Sequence, residues 1–587
     1  MKGFIQKAGA RRPISVSVML DSGNFDGAEP YTARLRPPMA DPRLFRFWKD
    51  WCMREHQGHC GRNEITTGRS MASIRLVDVF ENCVATLDVM EHVEWVALSY
   101  VWGEAQAHAL VKGNYNAYHE QGALKFDRMP ATILDAMWVT RELGERYLWI
   151  DSLCIIQDDE DDKLQYIPAM DIIYSQSIIT IVNAATDKVS SGIPGIRQGA
   201  PRSEQDVFEL NGTWLTLSLD PAHSSNNAYL NQTKWATRGW TYQECLLSRR
   251  CLIFTKEQAY WQCLGSSFCE DTNWEIRSDI HPVMYRHCLG NSWPDVPSLQ
   301  ALYGNTDAHW SRVYPMAVEQ FRQRQLTSDH DRLHAFTGIL RALEYSAGLK
   351  TFWGMPIPCL QRALVWTELE PLTRNTSSQS IRPNGEPCPF PSWSWVGWSG
   401  PISIDVNRTH EIRGRLYFRY YSLGHEGDPI PLTNRSDDAV SCFDGSDEDR
   451  WFNPTQTEIT RLQIPDSVRS SHAAPGLLCF WTSTAVLNIS LGDATQIYHS
   501  GNLIDGEIKV SSHMAAEEPC LRVKQGRFIV IDAATRREPR PVQPVLKVML
   551  VDEDDSGVCY RRFLFTNVCP FRWARLENLK WEVVCLG

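Results

Sequence analysis

An α/β domain built on a parallel sheet, then a helical stretch, then a mainly antiparallel β tail is the architecture predicted by this 587-residue chain. The first part rests on three short, almost wholly apolar runs, Trp95–Val101, Tyr147–Ile150 and Ile178–Val182. The helical patterns between them are long enough to cross from one parallel strand to the next. The tail rests on a change of character beyond residue 400, where short β-like runs alternate with Asp, Gly and Pro turns. Length alone asks for about three or four domains. The expected boundaries are 1–90 for a leader with a Cys/His-bearing helix, 91–265 for the α/β domain, 266–400 for a helical extension, and 401–587 for the β-rich domain.

Taken in order, residues 1–45 read as a loose leader, broken at Arg11-Arg12-Pro13 and Pro37-Pro38. Arg43–Glu55 has helical spacing, with Leu44, Trp48, Trp51 and Cys52 on one face. Gly103 stops the first strand, and a helix with Ile133, Ala136, Met137 and Thr140 on one side ends where Gly144 supplies a C-cap glycine. The second strand closes on Asp151, and the acidic stretch Asp158–Asp162 reads as a solvated loop. Ile167, Met170 and Tyr174 mark the next helix, with Pro168 kinking its start. Trp214–Leu219 reads as a strand inside an insertion, Trp240–Arg250 as a short helix, and Cys251–Phe254 with Ala259–Cys263 as a hairpin. Residues 270–370 look mostly helical, including Asp331–Ala342, up to Ser392–Trp398 (SWSWVGW). Arg415–Tyr421, Phe528–Ile531 and Val545–Val551 are the clearest strands of the tail.

Composition narrows the function. With 43% hydrophobic and 22% charged residues the chain has the make-up of a folded protein. Its 59 basic against 70 acidic side chains leave a net charge of −11, the wrong sign for a general nucleic-acid or anionic-membrane binder. Ile14–Leu20 is too short to span a bilayer, and no cleavable signal is evident. The 17 cysteines are scattered, which predicts a reduced, intracellular thiol population with Cys154, Cys245 and Cys251 buried. No Walker-type loop, G-x-S-x-G elbow or H-E-x-x-H is present.

Ligands of open parallel sheets bind beyond the carboxyl ends of the strands. Ser99, Trp102 and Gly103 follow the first strand and Asp151 the second; Arg238, Trp240 and Glu244 could face the same edge from their helix. Each has a structural alternative. Asp151 could cap a neighbouring helix, Thr241-x-x-Glu244 fits a capping box, and both tryptophans could be core. Arg238 is the cation best placed to hold a phosphate or pair with Asp151. Cys52, His56, His59 and Cys60 are zinc-type ligands, but on one helix only Cys52, His56 and one of the last two share a face. Without a fourth ligand from elsewhere, zinc is the weaker expectation against a packed helix with free thiols.

Four ordered motifs closely resemble the fungal heterokaryon-incompatibility (HET) domain: Val96-Ala-Leu-Ser-Tyr-Val-Trp-Gly103, Leu148-Trp-Ile-Asp-Ser-Leu-Cys-Ile-Ile-Gln157, Met170–Tyr174, and Arg238-Gly-Trp-Thr-Tyr-Gln-Glu244. The resemblance covers about Val93–Cys263, with flanking matches at Trp51-Cys52 and at Pro391-Ser-Trp-Ser-Trp395. One departure is Ile156, where the family usually has Asn. The resemblance implies a cytoplasmic fungal protein of self/non-self recognition and programmed cell death, acting by self-association or through an allelic or receptor partner. It also implies a layout distantly similar to Toll/interleukin-1 receptor (TIR) domains, some of which hydrolyse NAD. On that reading Glu244 and Asp151 would be catalytic, and Ser99, Trp102, Gly103, Arg238 and Trp240 would surround the NAD. The alternative is a non-enzymatic assembly module.

Overall fold

The computed structural model describes residues 3–5, 14–18, 33–56, 60–61, 70–88, 93–103, 108–125, 129–198, 200–210, 213–217, 230, 233–273, 307–347, 350–357, 360–375, 378–381, 387–404, 420–423, 429–432, 464–469, 476–492, 502–511, 524–536 and 543–587. Two compact units divide the chain. One comprises Met1–Gly304, Arg324–Leu326 and His334–Ala347, the other Asn305–Gln323, Thr327–Leu333 and Gly348–Gly587.

The first unit is organised by an eight-stranded sheet. In chain order its strands are β1 (Ser73–Asp78), β2 (Cys83–Asp88), β3 (Val96–Ser99), β4 (Tyr147–Trp149), β5 (Ile179–Asn183), β6 (Arg250–Phe254), β7 (Ala259–Cys263) and β8 (Ser267–Cys269). Their spatial order is β8-β7-β6-β5-β3-β4-β1-β2. The three apolar runs are parallel neighbours, with Val96 opposite both Leu148 and Ile179. β3 and β5 are buried along their whole length, as continuous apolar runs require. The sheet as a whole is mixed, which corrects the expectation of a parallel one. β6 adds a fourth parallel strand beside β5, but β7, β8, β1 and β2 join antiparallel. The reason is connection length: four residues separate β6 from β7, enough for a hairpin and too few for a crossover.

The crossovers come from helices the sequence marks well. α1 (Pro42–Glu55) opens with Asp41 accepting from the Arg43 amide at 2.9 Å and Pro42 at its first position. It buries Leu44, Phe45, Trp48 and Cys52, and Trp48 and Trp51 lie against Phe268 at the β7–β8 edge. α2 (Ala131–Glu142) buries Ile133, Ala136, Met137 and Thr140, and Gly144 follows it at φ 81°, a left-handed conformation that ends the helix. Pro168 sits in a 3-10 turn, Ile167–Ala169, between Glu160–Tyr166 and α3 (Met170–Gln176). α4 spans Gly239–Leu246 and stops short of Arg250, which already belongs to β6.

Several expectations change here. The acidic stretch is no solvated loop. Asp159 caps the Glu160–Tyr166 helix, whose first turn carries Glu160, Asp161 and Asp162, the signs a helix N-terminus favours. Asp162 also meets Arg75 of β1 in a two-pronged pair at 2.8 and 3.0 Å. The leader holds strands: Gly3–Ile5 pairs with Ile14–Val18, which pairs with Thr213–Leu217, and Val207–Leu210 completes that small antiparallel sheet. Cys154 and Cys251 are buried and free as expected, whereas Cys245 is only half-buried.

The second unit contains the helix Asp307–Arg322 and a run of short strands between 351 and 404, where a mostly helical region was expected. Its tail is β-rich, with strands longer than the sequence runs suggest. Leu478–Gly492, Gln525–Arg536, Gln543–Glu553, Cys559–Val568 and Lys580–Leu586 pair in that order, and the last returns to pair with the first. Pairing is antiparallel apart from a Cys559–Leu586 bridge and the Glu507–Ser511 strand beside Leu478–Gly492. Phe528, Val530, Val548, Phe563, Phe565 and Trp573 fill the core. The expected strand at Arg415–Tyr421 is seen from Tyr420 on; its first five residues lie outside those described. Ser392 of SWSWVGW belongs to this unit too, its amide donating to the Gly587 carbonyl at 2.8 Å. Among the described residues no helix is long and apolar enough to cross a membrane.

Candidate functional site

The chain runs from β3 to β4 on one side, then back past β3 to β5 on the other. Strand order therefore reverses between β3 and β5, and crevices for ligands form at the carboxyl ends of such strands. Ser99, the last residue of β3, lies at this point and is fully buried.

Two hydrogen-bonded groups converge there. In the first, the Trp235 indole donates to Ser99 Oγ at 2.7 Å, and Ser99 bonds to Glu244 Oε2. An indole N–H can only donate, so the serine hydroxyl accepts from Trp235 and has its own proton to give Glu244. In the second, Asp151 accepts from Trp102 Nε1 at 2.6 Å and from the Ser152 amide at 2.8 Å. Ser152 Oγ is 2.8 Å from the Tyr100 hydroxyl, and Arg238 donates to the Tyr100 carbonyl at 2.7 Å. The Tyr174 hydroxyl of α3 donates to the Leu98 carbonyl of β3 at 3.1 Å. Side chains from β3, α3, α4 and the turn after β4 are thus tied together across 145 positions of sequence.

Both carboxylates are displaced from their ordinary range. Burial pushes Glu244 up to about 7, against the hydrogen bond from Ser99 and the charge of Arg238, while Asp151 adds to the rise. Burial pushes Asp151 up to about 6, moderated by Trp102 and Arg238. Near neutral pH, Asp151 is mostly ionised and Glu244 is about evenly divided between acid and anion. Two carboxyl groups held at different points near neutrality suit one anionic and one proton-carrying role.

The structural alternatives resolve differently for each residue. No capping box forms at Thr241: its hydroxyl donates to the Trp235 and Arg238 carbonyls, and Glu244 sits well inside α4, whose N-cap is Arg238. Asp151 caps no neighbouring helix: it is the first residue of the one-turn helix Asp151–Cys154, whose N-cap is Ile150, and its carboxylate accepts from the adjacent Ser152 amide. Trp102 is half-buried and bonded into the group. Gly103 follows at φ 62°, where a Cβ would lie 3.1 Å from the Asp187 carbonyl oxygen, so the loop demands glycine. Trp240 is half-buried on α4, and no hydrogen bond joins it to either group among the described residues. Sequence reasoning missed Trp235, Tyr100 and Tyr174. Tyr100 adjoins a chosen serine, but nothing about Trp235, four residues before α4, distinguishes it from a core tryptophan.

The Cys/His set also changes. α1 ends at Glu55, and His56 is its C-cap, with its amide donating to the Cys52 carbonyl at 3.0 Å. The Cys60 amide donates back to the His56 carbonyl at 2.7 Å, so Cys52, His56 and Cys60 are linked by successive backbone hydrogen bonds at four-residue spacing. Cys263, the last residue of β7, joins them, and the four ligand atoms all lie within 4.8 Å of one another. His59 lies outside the described residues.

Residues 95–244 match the family described as Heterokaryon incompatibility protein (HET). Heterokaryon incompatibility protein 6, OR allele, of Neurospora crassa is 22% identical over 293 residues, 44% of this chain and 42% of that protein. The chain thus spans less than half the length of this relative. No solved structure matches.

Proposed function

The chain carries a HET domain over residues 95–244, and from that premise we propose a heterokaryon-incompatibility role in self/non-self recognition, ending in programmed cell death through action on NAD. The observation that supports the enzymatic step is the pair of carboxylates raised to about 6 and about 7 beside the switch point of a parallel sheet. Cleavage would break the bond between nicotinamide nitrogen and ribose C1. The bonding electrons leave with neutral nicotinamide, and an ionised carboxylate stabilises the oxocarbenium-like ribosyl centre. Water then adds to C1 and loses its proton to Asp151 or Glu244, giving ADP-ribose. Arg238 spends one donor on the Tyr100 carbonyl and keeps the rest of its fork for a diphosphate. Trp102 offers a half-buried ring face for a base. The helix-borne glutamate parallels its placement in TIR-like NAD hydrolases.

One observation favours the other reading, an assembly module that works by self-association or through an allelic or receptor partner in the cytoplasm. Glu244 is only 6% exposed and Ser99 fully buried, so their bond also makes sense as core structure. Incubation of the purified chain with NAD separates the two. Nicotinamide release by the unmodified protein, lost in a folded Glu244→Gln variant along with killing in a fungal expression assay, supports the enzyme. Full killing by a stable, well-expressed Glu244→Gln protein leaves the assembly reading.

A further inference from the structure

We propose that Cys52, His56, Cys60 and Cys263 form a structural zinc site that fastens the leader helix to the edge of the HET-domain sheet. Three sulfurs and one imidazole are a donor set that zinc favours, and four protein ligands close the coordination sphere as structural sites do. The distances fit. Tetrahedral ligands at zinc–sulfur and zinc–nitrogen lengths of about 2.3 and 2.0 Å stand roughly 3.5–3.8 Å apart. Here the four atoms lie within 4.8 Å of one another, and Cys263 Sγ is 3.3 Å from His56 Nδ1. Cys52, His56 and Cys60 are buried and Cys263 is partly so.

The surroundings suit thiolates. The Ser266 amide donates to Cys263 Sγ at 3.3 Å across the tight turn between β7 and β8, and Ser266 Oγ lies at the same distance. Arg250 Nε donates to Cys52 Sγ at 3.2 Å. The remaining bonds of this buried arginine go to the Ile178 and Cys60 carbonyls, and no carboxylate pairs with it among the described residues. Three thiolates and a divalent cation carry a net charge of −1, which supplies the counter-charge that a buried guanidinium requires. Gly265 belongs to the same construction. A Cβ there would fall 2.5 Å from His56 Cε1, so only glycine lets the turn pass over the imidazole. The ligands bridge α1 with the β7–β8 hairpin, two elements some 200 residues apart in sequence, where a cross-link removes much unfolded-state freedom.

The test uses the full chain, purified without chelator, with its metal measured by mass spectrometry and the zinc shell by X-ray absorption. About one zinc per chain with three sulfur neighbours and one nitrogen is the expected result. Cobalt(II) added to the metal-stripped chain should give the visible bands of a tetrahedral thiolate site. Cys263→Ser should weaken zinc affinity at least about tenfold, while Cys569→Ser, in the other unit, should leave it unchanged. If Cys263→Ser fails to fold, thiol labelling of the unmodified protein decides instead. Cys52, Cys60 and Cys263 should react only after a chelator is added. A folded chain that neither holds zinc nor takes it up on dialysis overturns the proposal, and so does a disulfide among these three cysteines.

Discussion

Glu244 concentrates the questions at the residue scale. Its carboxyl group is raised from about 4.5 to about 7 because burial outweighs the Ser99 bond and the Arg238 charge. The folded protein therefore holds this proton more tightly than the unfolded chain does. Between those two values the folded state binds more protons, so stability is fully present below about 4.5 and is lost as pH rises through 7. Full ionisation costs on the order of 3 kcal/mol. Glu244→Gln, which keeps an acceptor for Ser99 and cannot ionise, should flatten the melting profile between pH 5 and 8 and exceed the parent in stability at pH 8. Thermal unfolding across that range is the measurement, and parallel curves for the two proteins would count against it. Asp151 should contribute a smaller loss of the same sign, ending near pH 6.

At the scale of elements, most strands and helices of the first unit follow from local pattern, because their apolar residues recur at the period their neighbours demand. The acidic helix Glu160–Tyr166 is the instructive exception. Five consecutive acidic residues read as solvated, yet Asp159 caps the helix and Asp162 turns inward to Arg75, leaving both partners about one-tenth exposed. Arg75 also donates to the Cys154 carbonyl at 2.8 Å, so the pair ties β1, the turn after β4 and this helix together. Asp162→Ala leaves that guanidinium without its carboxylate and should destabilise the protein by about 3 kcal/mol, read from chemical denaturation. A change below about 0.5 kcal/mol would show the pair to be screened like a surface one.

For the whole molecule, the two units interleave along the chain. Gln325 exchanges backbone hydrogen bonds with the start of α4, its amide donating to Thr237 and its carbonyl accepting from Gly239 at 2.6 and 2.7 Å. The helix His334–Ala347 packs on α4 as well, and its Arg341 pairs with Asp171 of α3 at 3.3 Å. The HET match ends at 244, but the fold that holds Glu244 does not. A chain shortened to residues 1–347 should keep α4 in place, whereas one shortened to 1–304 loses both supports. The shorter fragment should melt at least several degrees lower or fail to fold, as measured by calorimetry. Equal melting would show that Gln325 and the 334–347 helix contribute little.

The three parallel strands, the helices between them, the β-rich tail and the strand-end positions of Ser99, Trp102 and Asp151 are legible in the amino-acid order. Those features depend on residues within a few positions of one another, where periodicity, glycine stops and strand-closing carboxylates act. The rest depends on long-range packing. That β1 and β2 join the sheet beside β4, that Thr241 and Glu244 form no capping box, that Trp235 holds Ser99, and that Cys263 completes a ligand set begun at Cys52 are all consequences of which distant segments pack together. A residue's own neighbourhood in sequence carries no record of a partner 145 or 211 positions away (263 − 52), because the contact is chosen by the burial of whole elements and not by the pair that ends up touching.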